Sequence, residues 1–366
     1  MKSVFTCNQG VTETFVALEG TRYNNFRAET EALLYKLEDE LDGAKPVWIK
    51  FHVSDVVNQK KEIDDIMSDR RCLYSVIGQA PTNGSRVSLE AYALSGGDVS
   101  YSGADAATVT VSLKNYRLMY FHTPKLESKG SYDQMAEEFT AADRKLAAAG
   151  GTLEANLQRT WIYCRDIDNN YAGLVVARRE HFARNGLTVD THFIASTGIE
   201  GKSDPFDRLV RMDSVALFGH KREQVTYMSA LDHLNPTHEY GVTFERATRL
   251  TFGDRSKYYI SGTASIDKNG QIVHPGDVGR QAERMLENIN ALLSNYDAAL
   301  EDLKLAVVYL RDPADAAIVE GVLSKRLPAN LPRIMVNGAV CRPGWLVEME
   351  GVAVNGRANG AYAPFV

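Results

Sequence analysis

Cysteine is scarce, with four in 366 residues, and Cys7, Cys72, Cys164 and Cys341 stand too far apart for any metal-ligand spacing. That excludes a disulfide framework or a zinc ribbon as the organising principle, and the expectation is reduced thiols in a cytoplasmic protein. No stretch is apolar over the roughly 18 residues that a membrane-spanning helix needs. The opening MKSVFTCNQGVTETF lacks the apolar core of a signal peptide, so neither signal nor membrane anchor is expected. Basic excess is missing too: 41 Lys and Arg face 47 Asp and Glu, a net charge of −6 with no polybasic run, which gives no support for a nucleic-acid partner. There is no GxGxxG after a strand, no GxxxxGK[ST] and no HExxH, and His181, His192, His220, His233, His238 and His274 form no compact ligand set. The expectation is a protein without metal or cofactor, acting on or binding a small molecule.

What the chain does have is one phrase written twice. Tyr163-Cys164-Arg165-Asp166 and Tyr309-Leu310-Arg311-Asp312 lie 146 residues apart, and the flanks match without a gap: Gly130 with Gly276, Ala136-Glu137 with Ala282-Glu283, Leu157 with Leu303. Each copy predicts a helix, a strand ending in Arg-Asp and a second helix, in mixed sheets with helices on one face. The uncovered face must meet the other copy's sheet or another subunit. Three parts follow: an N-terminal α/β region over 1–107, a first repeat over 108–225 and a second over 226–366.

Periodicity fills these parts in. In the first, a helix is predicted from Phe26 to Leu37, a strand at Trp48–Val53, a helix at Gln59–Met67, and strands at Arg71–Gln79 and Arg86–Ala93. Gly96-Gly97-Asp98 and Gly103-Ala104-Asp105 mark loops. The first repeat predicts helices at Ser131–Ala149 and Tyr171–Asn185, stopped by Gly150 and Gly186, with strands at Leu118–Phe121, Arg159–Cys164, His192–Ser196 and Arg211–Leu217. Thr197-Gly198-Ile199-Glu200-Gly201 is expected to be a hairpin or loop. The second repeat predicts strands at Tyr258–Ala264, Leu303–Leu310, Arg333–Val340 and Trp345–Val354, a helix after Asp277 and another at Ala314–Leu323.

The last two predicted strands hold the most suggestive polar residues. Side chains alternate along a strand, so Arg333, Met335, Asn337 and Ala339 share one face, and Glu348 and Glu350 share a face of the neighbouring strand. An arginine can grip a carboxylate through two parallel hydrogen bonds. A glutamic acid in an enclosed apolar site can hold its proton and serve as a general acid. Both carboxylates facing solvent on an edge strand is the plain alternative. Arg159 is a candidate anchor for a second carboxylate, or an ordinary ion pair. Arg246 and Tyr240 precede the second repeat as ligand contacts or loop contacts, and the hydroxyls of Tyr163 and Tyr309 point inward or simply cap packed rings. Asp166 and Asp312, present in both copies, fit helix caps.

Several of these stretches resemble known families. Ser261-Gly262, the helix with Glu287-Asn288-Ile289, the strand Val307–Asp312 and the end Val347-Glu348-Met349-Glu350-Gly351-Val352-Ala353 resemble the RidA/YjgF family, trimers of single domains many of which hydrolyse reactive enamines or imines. The resemblance matches that family's carboxylate-binding arginine to Arg333 and its cleft glutamate to Glu348. Arg159-Thr160-Trp161, Ala195–Gly201, Phe244–Thr248, Ser261–Ser265 and Cys341-Arg342-Pro343 make the whole chain similar to the chorismatases. Those enzymes cleave chorismate to pyruvate and a dihydroxycyclohexadiene carboxylate or a hydroxybenzoate. The implied fold is α+β, with tandem RidA/YjgF-like (chorismate mutase-like) domains beside the N-terminal region. The implied chemistry has Glu348, with Glu350 next, protonating the enolpyruvyl ether while Arg333, Arg159 and Arg246 hold carboxylates. Tyr240, Tyr309, Asn337, Ala339 and Cys341 are the further substrate-binding candidates. An enamine/imine deaminase or a non-catalytic carboxylate binder is the alternative, and a monomer, dimer or trimer would each suit the fold.

Overall fold

The computed structural model describes residues 1–6, 10–70, 72–96, 100–102, 107–124 and 126–365. Cys7, Gly97-Asp98, Gly103–Asp105 and the side chain of Tyr240 lie outside the described residues.

Among the described residues, seventeen strands pair into three sheets. The first unit runs β1 (Lys2–Thr6), β2 (Thr12–Glu19), α1 (Phe26–Leu41), β3 (Lys45–Val53), α2 (Val56–Met67), β4 (Leu73–Gly78) and β5 (Val87–Ser95), with sheet order β1-β2-β5-β3-β4. The second runs β6 (Ser100–Ser102), β7 (Thr108–Ser112), β8 (Arg117–His122), α3 (Ser131–Ala148), α4 (Leu153–Asn156), β9 (Leu157–Cys164), α5 (Ile167–Arg184), β10 (Ala195–Glu200) and β11 (Val210–Phe218). The third comprises β12 (Val225–Met228), β13 (Ala247–Thr251), β14 (Ser256–Ala264), α6 (Val278–Ser294), β15 (Leu303–Leu310), α7 (Ala316–Arg326), β16 (Arg333–Asn337) and β17 (Val347–Asn355). β6, upstream of residue 108, pairs with β7 and so belongs to the second sheet.

The N-terminal region follows the same path as the two repeats, so the chain holds three copies of one topology where the sequence suggested two. In each copy the last strand lies antiparallel between a hairpin strand and the central strand, and the strand before it pairs parallel with the central one. The registers coincide residue for residue. Val53 faces Gly78 and Val87, Cys164 faces Glu200 and Val210, and Leu310 faces Asn337 and Val347. One step back, His52 faces Ser88, Tyr163 faces Arg211 and Tyr309 faces Glu348.

Local chemistry explains the helices. Asn25, Asp55 and Asp277 cap α1, α2 and α6 by accepting the backbone N–H three residues on. Asp312 caps the 3-10 turn before α7 through Ala314 N–H, whereas Asp166, in the left-handed region, makes no such bond and instead holds Asn169. Gly150 and Gly186 follow α3 and α5 at φ +82° and +78°, as their stopping role requires. Thr197–Glu200, expected as loop, is strand: β10 runs parallel to β9 from Ala195 to Glu200, and that pairing satisfies its backbone despite Gly198. β16 stops at Asn337 because Gly338 N–H turns back to Leu310 O while Ala339 O accepts from Glu200 N–H of the second unit.

Helices cover the outer face of each sheet, and the inner faces pack on one another. Trp48, Tyr92, Trp161, Tyr163 and Tyr309 belong to one continuous buried core shared by all three units. Inside it the register places one acid per unit at an equivalent position: Glu90 opposite Lys50, Asp213 opposite Trp161, Glu350 opposite Val307. Each acid has a cation. Lys50 Nζ stands 3.4 Å from Glu90, Arg211 Nε 3.1 Å from Asp213 and Arg159 Nη2 2.6 Å from Glu350. An unpaired charge in such an interior costs several kcal/mol, so the acids require these partners.

Candidate active site

Glu348 sits on β17 opposite Tyr309 of β15 and Ala264 of β14, and its side chain is 6% exposed. Room for the carboxyl comes from Gly262, where the β14–β17 register shifts; a Cβ there would fall on Glu348 Oε1. Across the seam lies β10 of the second unit. Thr197 Oγ1 accepts from Gly262 N–H at 2.9 Å and from Arg159 Nη2 at 2.5 Å, tying the two units together beside the acid.

The carboxyl borders a cavity of about 40 Å³. Helix α5 contributes Tyr171 and Arg178, and the segment before β13 contributes Phe244 and Arg246. The β16–β17 loop adds Cys341, Arg342 and Trp345. The Phe244 ring has two guanidinium groups near it, that of Arg246 at 5.5 Å and that of Arg178 at 5.9 Å. Arg246 is oriented by Asn235, whose backbone and side-chain oxygens accept from Nη2 at 2.9 and 3.1 Å. Trp345 Nε1 donates to Ser265 O at 3.1 Å, and Arg342 stands 5.0 Å over its ring. On the far side of Phe244 and Arg246 a second cavity of about 200 Å³ opens beneath the segment joining β12 to β13.

Burial, and then the nearby charge of Glu350, push the Glu348 carboxyl up to about 8, against the pull of Arg159 and Arg246. At neutral pH it therefore carries a proton. Glu350, two residues on, has different surroundings: Arg159 and the Tyr309 hydroxyl (2.9 Å) both donate to it. Two carboxyls on one strand face thus have opposite environments, the arrangement by which enzymes separate an acid from a fixed charge. Burial also pushes the Cys341 thiol up to about 12, so it is a neutral wall rather than a nucleophile.

The family model described as Endoribonuclease L-PSP matches residues 252–355, from before β14 to the end of β17. The 3-aminoacrylate deaminase RutC of Acinetobacter baylyi (strain ATCC 33305 / BD413 / ADP1) is 34% identical over 96 residues, which span 26% of this chain and 76% of RutC. The chain belongs to this family, that of the RidA/YjgF proteins. Over nearly its whole length it also superposes on the crystal structure of a chorismatase, with a TM-score of 0.68 and 19% identity, covering 94% of this chain and 99% of that one. The shared fold therefore extends well beyond the stretch that the family model matches.

Within this RidA/YjgF protein the expected site residues part company. Glu348, Arg246 and Cys341 meet in the cavity, and Arg159, Glu350 and Tyr309 form the layer beneath them. Arg333 does not join them. It lies opposite Ala306, which in turn faces Gly351, three residues along β17 from Glu348, and its guanidinium donates to Glu320 of α7 at 2.5 Å. Asn337 donates to the carbonyls of Leu310 and Arg311 and faces a different cavity. Ala339 packs among apolar side chains of the second unit. Tyr240 ends a 3-10 helix at Thr237–Tyr240. Tyr171, Arg178, Phe244, Arg342 and Trp345 went unmarked as ligand residues in the sequence. Only Arg178 carried a usable signal, an arginine in the buried stripe of α5 beside Leu174, Ala177 and Phe182.

The acid occupies one of three equivalent positions. Its counterparts on the other last strands are Ser88 and Arg211, and Arg211 donates to Ser75 Oγ at 2.7 Å. Neither is a carboxylic acid, so the copies are alike in backbone and unlike in chemistry. Among the described residues no group of three or more His, Cys, Asp or Glu could hold a metal ion, and no helix is long and apolar enough to cross a membrane.

Proposed function

We propose that the chain is an acid catalyst for small carboxylates with an electron-rich carbon–carbon double bond, and that chorismate is its substrate. The observation that carries this reading is the Glu348 carboxyl, held protonated up to about pH 8 in a cavity walled by arginine side chains. The Glu348 proton adds to the terminal methylene of the enolpyruvyl ether and leaves an oxocarbenium ion beside the Glu350 carboxylate. Water adds to that carbon, returning a proton to Glu348, and the hemiketal collapses to pyruvate and a dihydroxycyclohexadiene carboxylate. Trapping of the cation by a ring hydroxyl instead leads to a hydroxybenzoate. Arg178, Arg246 and Arg342 are the cavity's carboxylate-holding groups, in place of Arg333. About 40 Å³ is space for little more than a water or two, so substrate entry requires Phe244 and Arg246 to yield toward the neighbouring 200 Å³.

A second reading, an enamine or imine deaminase, is favoured by the kinship in sequence with RutC. Its first step is the same protonation, at the enamine carbon, after which water adds to the iminium carbon and ammonia leaves. The separation of Arg333 from Glu348 does not choose between the two readings, because both resemblances imply that Arg333 holds the ligand's carboxylate. The test is product analysis of the purified chain with chorismate and, separately, with a dehydroamino acid, without added metal or nucleotide. Pyruvate from chorismate is expected, and Glu348→Gln should lower turnover by at least about a hundredfold, as loss of a general acid does. Folded protein that releases no pyruvate from chorismate would sink the first reading, and ammonia without pyruvate from chorismate would establish the second.

A further inference from the structure

The repeated Arg-Asp phrase places two arginines in the same setting at two different seams. Gly201 N–H bonds Cys164 O just as Gly338 N–H bonds Leu310 O, so Ser203 and Val340 are equivalent. Arg165 Nη2 donates to Ser203 O and Arg311 Nη2 to Val340 O, both at 2.5 Å, and the Nε of each is buried without a partner. They differ in what faces them from the neighbouring unit. Arg311 grips Asp168, the second residue of α5, through two parallel bonds of 3.0 Å. The equivalent second residue of α2, facing Arg165, is Val57, which is 53% exposed.

Where the Asp168 carboxylate would be, the seam between the first and second units holds a cavity of about 670 Å³, the size of a small-molecule site. Arg165 and Val57 both line it. Arg165 is nine-tenths buried and has no carboxylate within ion-pair distance among the described residues; Asp204 acts on it only at longer range. Lys202 adds a second cation, and Glu200, Asp55 and Asp166 add carboxylates. Asp55 and Asp166 hold Asn58 and Asn169. The Glu200 side chain makes no hydrogen bond among the described residues, and burial raises its pKa.

We propose that this seam is a second ligand site, distinct from the Glu348 cavity. It takes a small zwitterion of the α-amino acid class, whose carboxylate bonds to Arg165 as Asp168 does to Arg311 and whose ammonium group faces Glu200. The proposal is independent of the chorismate reading. Its test is thermal unfolding of the full chain with each of the twenty common L-α-amino acids at about 10 mM, with acetate as a carboxylate lacking the ammonium group. One or more amino acids should raise the melting temperature by several degrees, and acetate should not. Arg165→Gln should weaken that ligand at least tenfold. Val57→Asp, at an exposed first-turn position that tolerates an acid, should recreate the internal pair. It should abolish the shift while leaving unliganded stability equal or higher and turnover at Glu348 unchanged. No shift with any amino acid, an equal shift with acetate, or a shift that survives both substitutions would overturn the proposal.

Discussion

The environment of Glu348 makes opposite demands on activity and on stability. Its folded pKa, about 8, lies above the ordinary carboxylate value of 4.5, so the folded chain holds this proton more tightly than the unfolded chain. The stability gained is complete below about pH 4.5 and is lost as pH rises toward 8, with a slope of about 1.4 kcal/mol per pH unit. Urea unfolding between pH 5.5 and 7.5 should show that slope in the wild type and its loss in Glu348→Gln, which should be the more stable protein at pH 7.5. Turnover should be flat below about pH 8 and fall about tenfold per unit above it, since only the protonated acid acts. Gly262→Ala addresses the same carboxyl sterically. A methyl group where Oε1 lies must displace the acid, so kcat should fall at least about tenfold, with a stability loss in the 1–3 kcal/mol range of overpacking.

Strands carry the acid's supporting layer across units. Arg159 on β9 and Glu350 on β17 are both nearly fully buried, and removing one leaves the other's charge in the core. Arg159→Met should cost about 3–5 kcal/mol in urea unfolding, and Arg159→Met with Glu350→Gln should recover most of it. At this scale the sequence was readable where a local rule decides. Apolar spacing and the Asp277 cap announced α6, and the repeat gave the central strand Leu303–Leu310 to the residue. It was unreadable where a distant partner decides. Thr197–Glu200 looks like a loop because its glycine weakens local strand preference, yet the parallel ladder to β9 makes it strand. Arg333 and Glu348 share a sheet, and only the register of β15 between them shows that their ends lie apart. Glu348 was legible because acids are unusual between residues as apolar as Val347 and Met349. Phe244 was not, because an aromatic in a loop carries no mark of the two guanidinium groups near it.

In the whole molecule, the third copy escaped the sequence for a specific reason. At the positions of Tyr163 and Arg165 the first unit has His52 and Ser54, so the phrase that identifies the other two is absent, and only the strand pairing reveals the equivalence. All residues around Glu348 come from the second and third units of one chain. Turnover per chain should therefore not change on dilution from about 10 μM to 10 nM, a range over which a weak oligomer would dissociate. Loss of specific activity on dilution, tracked by light scattering, would place part of the site on a neighbouring chain.

Joining the three copies in one polypeptide has a genetic consequence. In an assembly of identical chains every codon change is installed in all interfaces at once, so an improvement at one is inseparable from its side effects at the others. Here the positions held by Ser88, Arg211 and Glu348 are encoded separately. One seam could keep both an acid and a salt bridge while another remained open, each answering to its own selection.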